Sequence, residues 1–436
     1  MGKGQDLYRK ARTLIPGGTQ LLSKRPEMHL PEQWPSYYSR AKGAEVWDLD
    51  GNRYLDMGMN GIGACVLGMA DPDVDDSVKK AIDVGTAASL NCQEEVELAE
   101  LLCGLHPWAS MARFARGGGE AMAMAARIVR AHTGREKIAF CGYHGWHDWY
   151  LSANLADDGA LDGHLLPGLE PKGVPRGLKG TMLPFRYNVI EELEAIAKDH
   201  GTALAAVVME PLRDQGPRDG FLERARAIAT QTGAVLVFDE VTSGFRLTCG
   251  GAHLMLGVEP DIAIFAKGMG NGYPIAAVIG RRPVMESAQT TFISSTSWTE
   301  RIGPTAAIAT IRKFRRLNAH EHLIHIGGLI QKGWKTAAEE ADLPLAISGI
   351  KPLGHFSITS AFGEAPRTLF TQLMLEKGFL ALNKFYAMYA HTERHVEEYF
   401  RAVREVFPLV ARAIQSGTVE KMLKGPVAHA GFKRLA

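Results

Sequence analysis

This sequence predicts an α/β fold built on a mostly parallel sheet, with a second, smaller α/β domain. Three observations carry that reading. Short apolar runs recur from about residue 90 to 281: "ARFAR" (112–116), "KIAFCGY" (137–143), "ALAAVVMEP" (203–211), "AVLVFDEV" (234–241), "DIAIFAKG" (261–268) and "AAVIG" (276–280). They lack the apolar–polar alternation of a half-exposed strand, so they read as strands covered on both faces. Between them lie amphipathic stretches such as "EAMAMAARIVRAHTG" and "FLERARAIATQTG", which supply the covering helices.

The remaining elements follow in chain order. The chain has 436 residues, too many for one small core. Residues 1–60 read as an N-terminal arm and part of the small domain: a short polar helix, then "IPGG", then a Pro-rich stretch to Pro35. "AEVWDLDGNRYLDM" follows, two strand-like runs around an Asp50-Gly51 turn, which signals a hairpin. Residues 61–310 form the large domain. Residues 311–436 hold two further strand–helix pairs and read as the rest of the small domain.

Composition excludes several function classes. A net charge of +1 with no basic block gives no field for nucleic acid. The opening "MGKGQDLYRKA" has no apolar h-region, and no apolar run reaches the ~18 residues of a membrane span. The five cysteines (Cys65, Cys92, Cys103, Cys141 and Cys249) are scattered and form no CxxC pair. Reduced thiols and a cytoplasmic location are expected, and no zinc site. His144 and His147 stand three apart with Asp148 after them, residue types that ligate metals. No further motif with ligand spacing supports a metal hydrolase, so no metal is expected.

In sheets of this kind, ligands collect at the carboxyl ends of the strands. Four runs end there in polar groups: Tyr143-His144, Glu210, Asp239-Glu240 and Lys267. Adjacent residues on a strand face opposite ways, so only one of Asp239 and Glu240 faces a ligand, with Val241 on the side of Asp239. Singly, each of these residues also suits a solvated turn or plain packing. "RGGGEAMAMAARIV" adds a glycine turn, Gly117, Gly118 and Gly119, opening a helix with Ala121, Ala125, Ile128 and His132 on one face. Such a turn either presents free N–H groups to a phosphate or allows tight strand–helix packing. It is not GxxxxGK[ST], which disfavours a nucleoside triphosphatase. Pyridoxal phosphate needs all these parts together: a phosphate cradle, an amine for its aldehyde, an acid for its ring nitrogen and an aromatic face.

These residues resemble the class III aminotransferases of the fold type I pyridoxal phosphate family, especially the glutamate-1-semialdehyde aminomutase branch. The similarity runs from "IPGG" near Pro16 to "AHTERHVEEYF" near Phe400. "VFDEVTSGFR" resembles the segment whose aspartate pairs with the pyridinium nitrogen, which implies that role for Asp239. "FAKGMGNGYPIAAVIG" implies Lys267 as the lysine that forms the cofactor imine. "GYHGWHD" resembles the ring-stacking motif, giving Tyr143 that role with His144 beside it. "MEPLRDQG" resembles the segment holding a residue near the cofactor's phenolic oxygen, with Gln215 at the matching position; Glu210, at the strand end in the same segment, is expected to be cofactor-binding. "RGGGEA" stands where the family has Ser-Gly-Thr-Glu-Ala, so Gly118 and Gly119 would supply phosphate-binding amides. "STSWTERIGPTAA" implies a homodimer in which Thr299 reaches the phosphate of the neighbouring subunit. The resemblance thus implies a pyridoxal-5'-phosphate-dependent aminotransferase acting on small-molecule amino donors and carbonyl acceptors.

The sequence also departs from the pattern. Gly119 replaces a threonine, so one hydroxyl contact to phosphate is missing. Gln215 stands where the aminomutases have asparagine, and "LLSKRPE" replaces their Ser-Pro-Val-Arg, leaving Lys24 or Arg25 with Arg213 as substrate-side cations. The segment "WHDWYLSANLADDGALDGHLLPGLEPKGVPRG" replaces their short Gly/Ser-rich gate. It reads as a rebuilt pocket wall, with Asp157, Asp158 and His164 on it; Trp146, Trp149 and Trp298 suit either pocket walls or core packing, and as walls the faces of Trp146 and Trp149 would fit a sugar ring or an apolar tail. The expectation is therefore transfer between two substrates, with a keto-sugar or another polar, carboxylated compound as acceptor. The alternatives are a glutamate-1-semialdehyde 2,1-aminomutase and a non-catalytic protein reusing the fold.

Overall fold

The computed structural model describes residues 2–164, 167–212 and 214–431. Its strands, in chain order, are β1 (Tyr38–Lys42), β2 (Glu45–Asp48), β3 (Arg53–Met57), β4 (Met111–Ala115), β5 (Lys137–Cys141), β6 (Met182–Pro184) and β7 (Leu204–Met209). Then come β8 (Val235–Asp239), β9 (Ile262–Phe265), β10 (Ala276–Gly280), β11 (Leu345–Ser348), β12 (Leu353–Ile358), β13 (Phe379–Ala381) and β14 (Lys384–Tyr386). The chain divides into two compact units, Pro72–His320 and Met1–Asp71 with Glu321–Ala436. The sequence reading drew its divisions at 60 and 310. The stretch after 60 stays with the first segment because Met69 bridges back to Gly43.

The larger unit carries a seven-stranded sheet in the order β4-β10-β9-β8-β7-β5-β6. Pairs β5–β6, β5–β7, β7–β8 and β8–β9 are parallel, while β10 runs antiparallel to both β9 and β4. Every residue of β7, β8, β9 and β10 is buried. The period of two then sorts side chains to two faces. Ile138, Phe140, Ala206, Val208, Val235 and Val237 join one core cluster, with Ala121, Ala125 and Ile128 of the helix Gly118–Thr133. Ala139, Cys141, Val207, Met209, Leu236 and Phe238 join the other, with Phe221, Leu222 and Ala225 of the helix Phe221–Thr232. His132, on the same helix face in the sequence as Ala121, Ala125 and Ile128, is exposed at the last turn. Each fully buried large apolar side chain in these layers contributes about 1.5–3 kcal/mol.

In the smaller unit, β1, β2, β3 and β13 form one sheet and β11, β12 and β14 another. The hairpin around Asp50-Gly51 joins antiparallel β2 and β3. Asp48 closes it, accepting from the N–H groups of Asp50 at 2.9 Å and Asn52 at 2.8 Å. After residue 310 the sequence reading expected two strand–helix pairs. The structure instead has four strands split between the two sheets, with β13 pairing in parallel with β3. Three-residue strands such as β13 and β14 carry too little periodicity to be read. Among the described residues no helix is long and apolar enough to cross a membrane.

Two fully buried histidines have their tautomers set by backbone groups. His106 donates from Nδ1 to the Leu102 carbonyl at 2.8 Å and accepts at Nε2 from the Gly251 N–H at 3.0 Å. His391 donates from Nε2 to the Asp56 carbonyl at 2.8 Å and accepts at Nδ1 from the Met388 N–H at 3.0 Å. Burial pushes each ring from 6.5 down to about 4. As pH falls below 6.5 the unfolded chain takes up these protons first, so stability is full above 6.5 and is lost between 6.5 and about 4. Each ring accounts for at most about 3 kcal/mol of that loss. Urea unfolding between about pH 7 and 4.5 should show the decline. A His106→Gln variant should be less stable at pH 7 but show a shallower decline; an unchanged slope would contradict the assignment.

Candidate active site

Asp239 ends β8 opposite Ile264 of β9 and continues the face of Val235 and Val237, the face covered by the helix Gly118–Thr133. Glu240 faces the other layer. Their exposures are 4% and 0%. An acid so buried needs partners, and each has a histidine. Asp239 Oδ1 accepts from the Val241 N–H at 3.0 Å, and Oδ2 lies 2.8 Å from His144 Nδ1. His144 Nε2 lies 3.1 Å from the Cys141 carbonyl. A carbonyl only accepts, so Nε2 carries a hydrogen, and a further proton lies between Nδ1 and Oδ2.

The neighbouring pair differs. Glu240 Oε1 accepts from the backbone N–H and Nδ1 of His253, at 2.9 and 2.8 Å, and Oε2 accepts from the Ser243 hydroxyl. Trp108 Nε1 donates to His253 Nε2 at 2.9 Å, so that ring is neutral with its hydrogen on Nδ1. Burial pushes the Glu240 carboxyl up, but the hydrogen bonds from His253 and Ser243 outweigh it and hold it below its usual value.

The helix Gly118–Thr133 starts behind Gly117, where Glu120 Oε2 accepts from the N–H groups of Arg116 and Gly117 at 3.0 and 2.9 Å. The first-turn amides after them have no acceptor within the helix. A Cβ on Gly118 would stand 3.0 Å from Val241 Cγ1. Gly145 has φ +105, and a Cβ there would stand 3.0 Å from the Gly119 Cα. Glycine at both positions lets the loop after β5 seat against the helix start.

Lys267 follows β9 with φ +45, a left-handed conformation that costs a non-glycine residue of order 1 kcal/mol or more. Its Nζ donates to Thr242 Oγ1 at 2.8 Å. Thr242 lies within "VFDEVTSGFR", but the strand alternation gives it no role; the turn after β8 brings it to the lysine. Tyr143 is half-buried, its ring edge-on to Tyr150 at 6.1 Å, and its N–H donates to Glu210 Oε2 at 3.2 Å. Glu210 is buried.

Contacts thus connect Gly118 with Val241, Asp239 with His144, Thr242 with Lys267, and Tyr143 with Glu210. Gln215 and Thr299 are exposed. Thr299 Oγ1 donates to the Thr296 carbonyl at 3.0 Å, in a segment held by arginines on its carbonyls: Arg127 on Phe292 at 2.9 Å, Arg113 on Ile293 at 2.7 Å, and Arg116 on Trp298 and Glu300 at 2.9 Å. Trp146 is 70% exposed, but Trp149 is 7% exposed inside the core cluster. Of the two readings open for Trp149, pocket wall or core packing, the core is the one found: the short helix Asp148–Leu151 turns it inward. Asp157 and Asp158 are exposed. His164 is half-buried and accepts from the Gly142 N–H at 3.2 Å. In the smaller unit Lys24 is exposed, and Arg25 is half-buried with its guanidinium against Gly17. Arg213 lies outside the described residues.

The family model described as aminotransferase class-III matches residues 29–404. The chain belongs to the class III aminotransferases. It is 30% identical over 418 residues to the 3-aminobutyryl-CoA aminotransferase of Cloacimonas acidaminovorans, covering 93% of this chain and 96% of that one. It is 32% identical over 433 residues to the glutamate-1-semialdehyde 2,1-aminomutase of Desulforamulus reducens, covering 94% and 98%. Among solved structures, the FumI protein of Sphingopyxis sp. MTA144, in its PLP internal aldimine form, superposes with a TM-score of 0.86 at 28% identity, covering 95% of this chain and 98% of that one. An omega-transaminase from Sphaerobacter thermophilus superposes with a TM-score of 0.83 at 26% identity, covering 94% and 98%.

This class III aminotransferase is a pyridoxal-phosphate-dependent enzyme of fold type I. Its residues fit the cofactor. The glycines at 118 and 119 keep side chains out of the helix start, Asp239 shares a proton with His144, and Lys267 follows the adjacent strand.

Proposed function

We propose that this enzyme moves an amino group between two separate small molecules. The observation that carries this reading is the burial of the first part, residues 149–155, of the segment standing in place of the mutase gate, although much of its later part is exposed. A gate must open and close over its pocket. Here Trp149, Tyr150, Ala153 and Leu161 sit in the core cluster, and Ser152 and Asn154 are 0% and 1% exposed. Asn154 ties the segment together, accepting from the Leu161 N–H at 2.9 Å and donating to the Leu169 carbonyl at 2.7 Å. Moving these residues would expose apolar core at about 25 cal/mol per Å².

Bound pyridoxal phosphate supplies an electron sink for the bonds broken at the amino-bearing carbon. Lys267 would hold the cofactor's aldehyde covalently and, once displaced by a substrate amine, carry protons at Nζ, with Thr242 Oγ1 orienting that amine. Asp239 and His144 would hold a proton for the ring nitrogen. Tyr143 would stack on the ring beside Val241, Gly118 and Gly119 would offer amides to the phosphate, and Glu210 and Gln215 would stand on the phenolic-oxygen side. A polar, carboxylated carbonyl compound remains the proposed acceptor, and the keto-sugar reading loses the support of Trp149.

A shared site in a homodimer is part of this proposal. The arginine-held segment supports it, because it offers Thr299 outward on a fixed backbone. The five free cysteines support a cytoplasmic location.

Borohydride reduction of the holoenzyme, followed by peptide mass spectrometry, should find the cofactor on Lys267. Lys267→Ala should lose that adduct and lower turnover by roughly 100- to 10,000-fold. An adduct on another lysine would refute the role.

For the reaction class, the enzyme in its amine form is supplied with glutamate-1-semialdehyde alone, and separately with donor and acceptor pairs that include 3-aminobutyryl-CoA. Transfer predicts net exchange between separate compounds. Efficient formation of 5-aminolevulinate without any external acceptor would establish the mutase instead.

Mixing Lys267→Ala subunits with subunits carrying Thr299→Trp should regain activity through hybrid sites. Verified mixed dimers that stay inactive would count against sharing.

A further inference from the structure

Gly119 leaves a gap in hydrogen-bonding capacity at the start of the helix Gly118–Thr133, and a neighbouring side chain stands beside that gap. A Cβ built on Gly119 would lie 3.3 Å from both Cε1 and Nδ1 of His147. The imidazole edge therefore borders the space that a threonine side chain at 119 would enter. Several contacts hold the ring there. Gly145 packs against the Gly119 backbone, and the His147 carbonyl accepts from the N–H groups of Tyr150 and Leu151 at 3.0 and 3.1 Å. The indole of Trp146 stacks on the imidazole with centroids 4.4 Å apart. His147 Nδ1 is buried and has no hydrogen-bond partner among the described residues. A buried ring nitrogen without a partner costs of order 1–3 kcal/mol, so a site that keeps one is expected to have a ligand for it.

We propose that His147 binds the phosphate of the cofactor through Nδ1, taking the place of the hydroxyl that Gly119 lacks. The inference rests on reading this helix start as the phosphate site of the pyridoxal phosphate enzyme. Burial holds the His147 ring below the usual histidine value, so it is neutral at pH 7, and a neutral imidazole donates from one nitrogen only. With that hydrogen on Nδ1, it adds a side-chain donor to the amides of Gly118 and Gly119. Phosphate oxygens only accept, so this donor is satisfied when the cofactor is bound.

The test compares pyridoxal phosphate with pyridoxal, which has the same aldehyde and ring but no phosphate. Dissociation constants for both are measured on cofactor-free wild-type enzyme, His147→Ala, and His147→Ala combined with Gly119→Thr. His147→Ala should weaken pyridoxal phosphate by roughly 10- to 100-fold, the range for a hydrogen bond to a charged group, and leave pyridoxal unchanged. The added threonine enters space the ring has vacated and should recover part of the loss. Unchanged affinity for pyridoxal phosphate, or equal weakening of both compounds, would overturn the assignment. Failure of the wild-type protein to bind either compound would instead refute the cofactor-site reading on which it rests. Thermal unfolding of each cofactor-free variant confirms that the folded protein is being titrated.

Discussion

Two adjacent acids buried at the end of a central strand constrain the rest of the larger unit. Asp239 and Glu240 cannot share a partner, because the strand sends them to opposite layers. A buried carboxylate stripped of its partner costs about 3–5 kcal/mol, so each layer has to supply its own histidine. On one side, His144 can reach Asp239 only if the loop after β5 folds back over the sheet end. That fold-back sets Gly145 against Gly119 and so places the start of the helix Gly118–Thr133. On the other side, His253 reaches Glu240 from the helix His253–Leu256. It is backed by Trp108 and stacks on His106 at 5.5 Å.

The two pairs differ in proton content, and the difference supports the chemical role proposed for the first. His253 accepts from Trp108 and donates to Glu240, so its hydrogen is fixed on Nδ1, and every atom of that network has one role. His144 faces an acceptor on each side, so the proton between Nδ1 and Oδ2 can sit on either atom. A pair that can hold its proton on either partner suits an acid whose task is to stabilise positive charge on a ring nitrogen. A pair with fixed roles suits a core. The same strand end thus carries a tunable group on one face and a locked one on the other.

The sheet was legible from sequence because its strands are buried on both faces and bounded by polar ends, as in "AVLVFDEV". The antiparallel direction of β10 was not, since "AAVIG" looks alike in either direction. Motifs carried by strand ends, such as Asp239 and Lys267, were legible with their neighbours. Thr242 was not, because it reaches Lys267 through a turn, and a turn does not preserve the period of two. For Trp149 a turn again decides. A tryptophan in a Gly- and Pro-rich stretch suits either a pocket wall or the core, and one turn of helix at Asp148–Leu151 sends it into the core. In the sequence His147 is a residue of metal-ligating type without a supporting motif, and only the packing of Gly145 on Gly119 shows which backbone it faces.

The glycines at 119 and 145 are also linked to the histidine between the two strand-end motifs. A side chain at 119 would push against the His147 imidazole at 3.3 Å, and one at 145 would push against the Gly119 Cα at 3.0 Å. Either contact would require the neighbouring group to give by a few tenths of an ångström at the helix start. The loop after β5 that holds Gly145 and His147 also carries His144, the partner of Asp239. A residue proposed for the phosphate, His147, and one proposed for the ring nitrogen, His144, therefore stand on one short loop, residues 143–147. A threonine at 119 offers its hydroxyl without help from this loop. With glycine there, the phosphate contact proposed for His147 depends on the close approach of this loop to the helix start, and the same loop carries the imidazole that partners the buried Asp239.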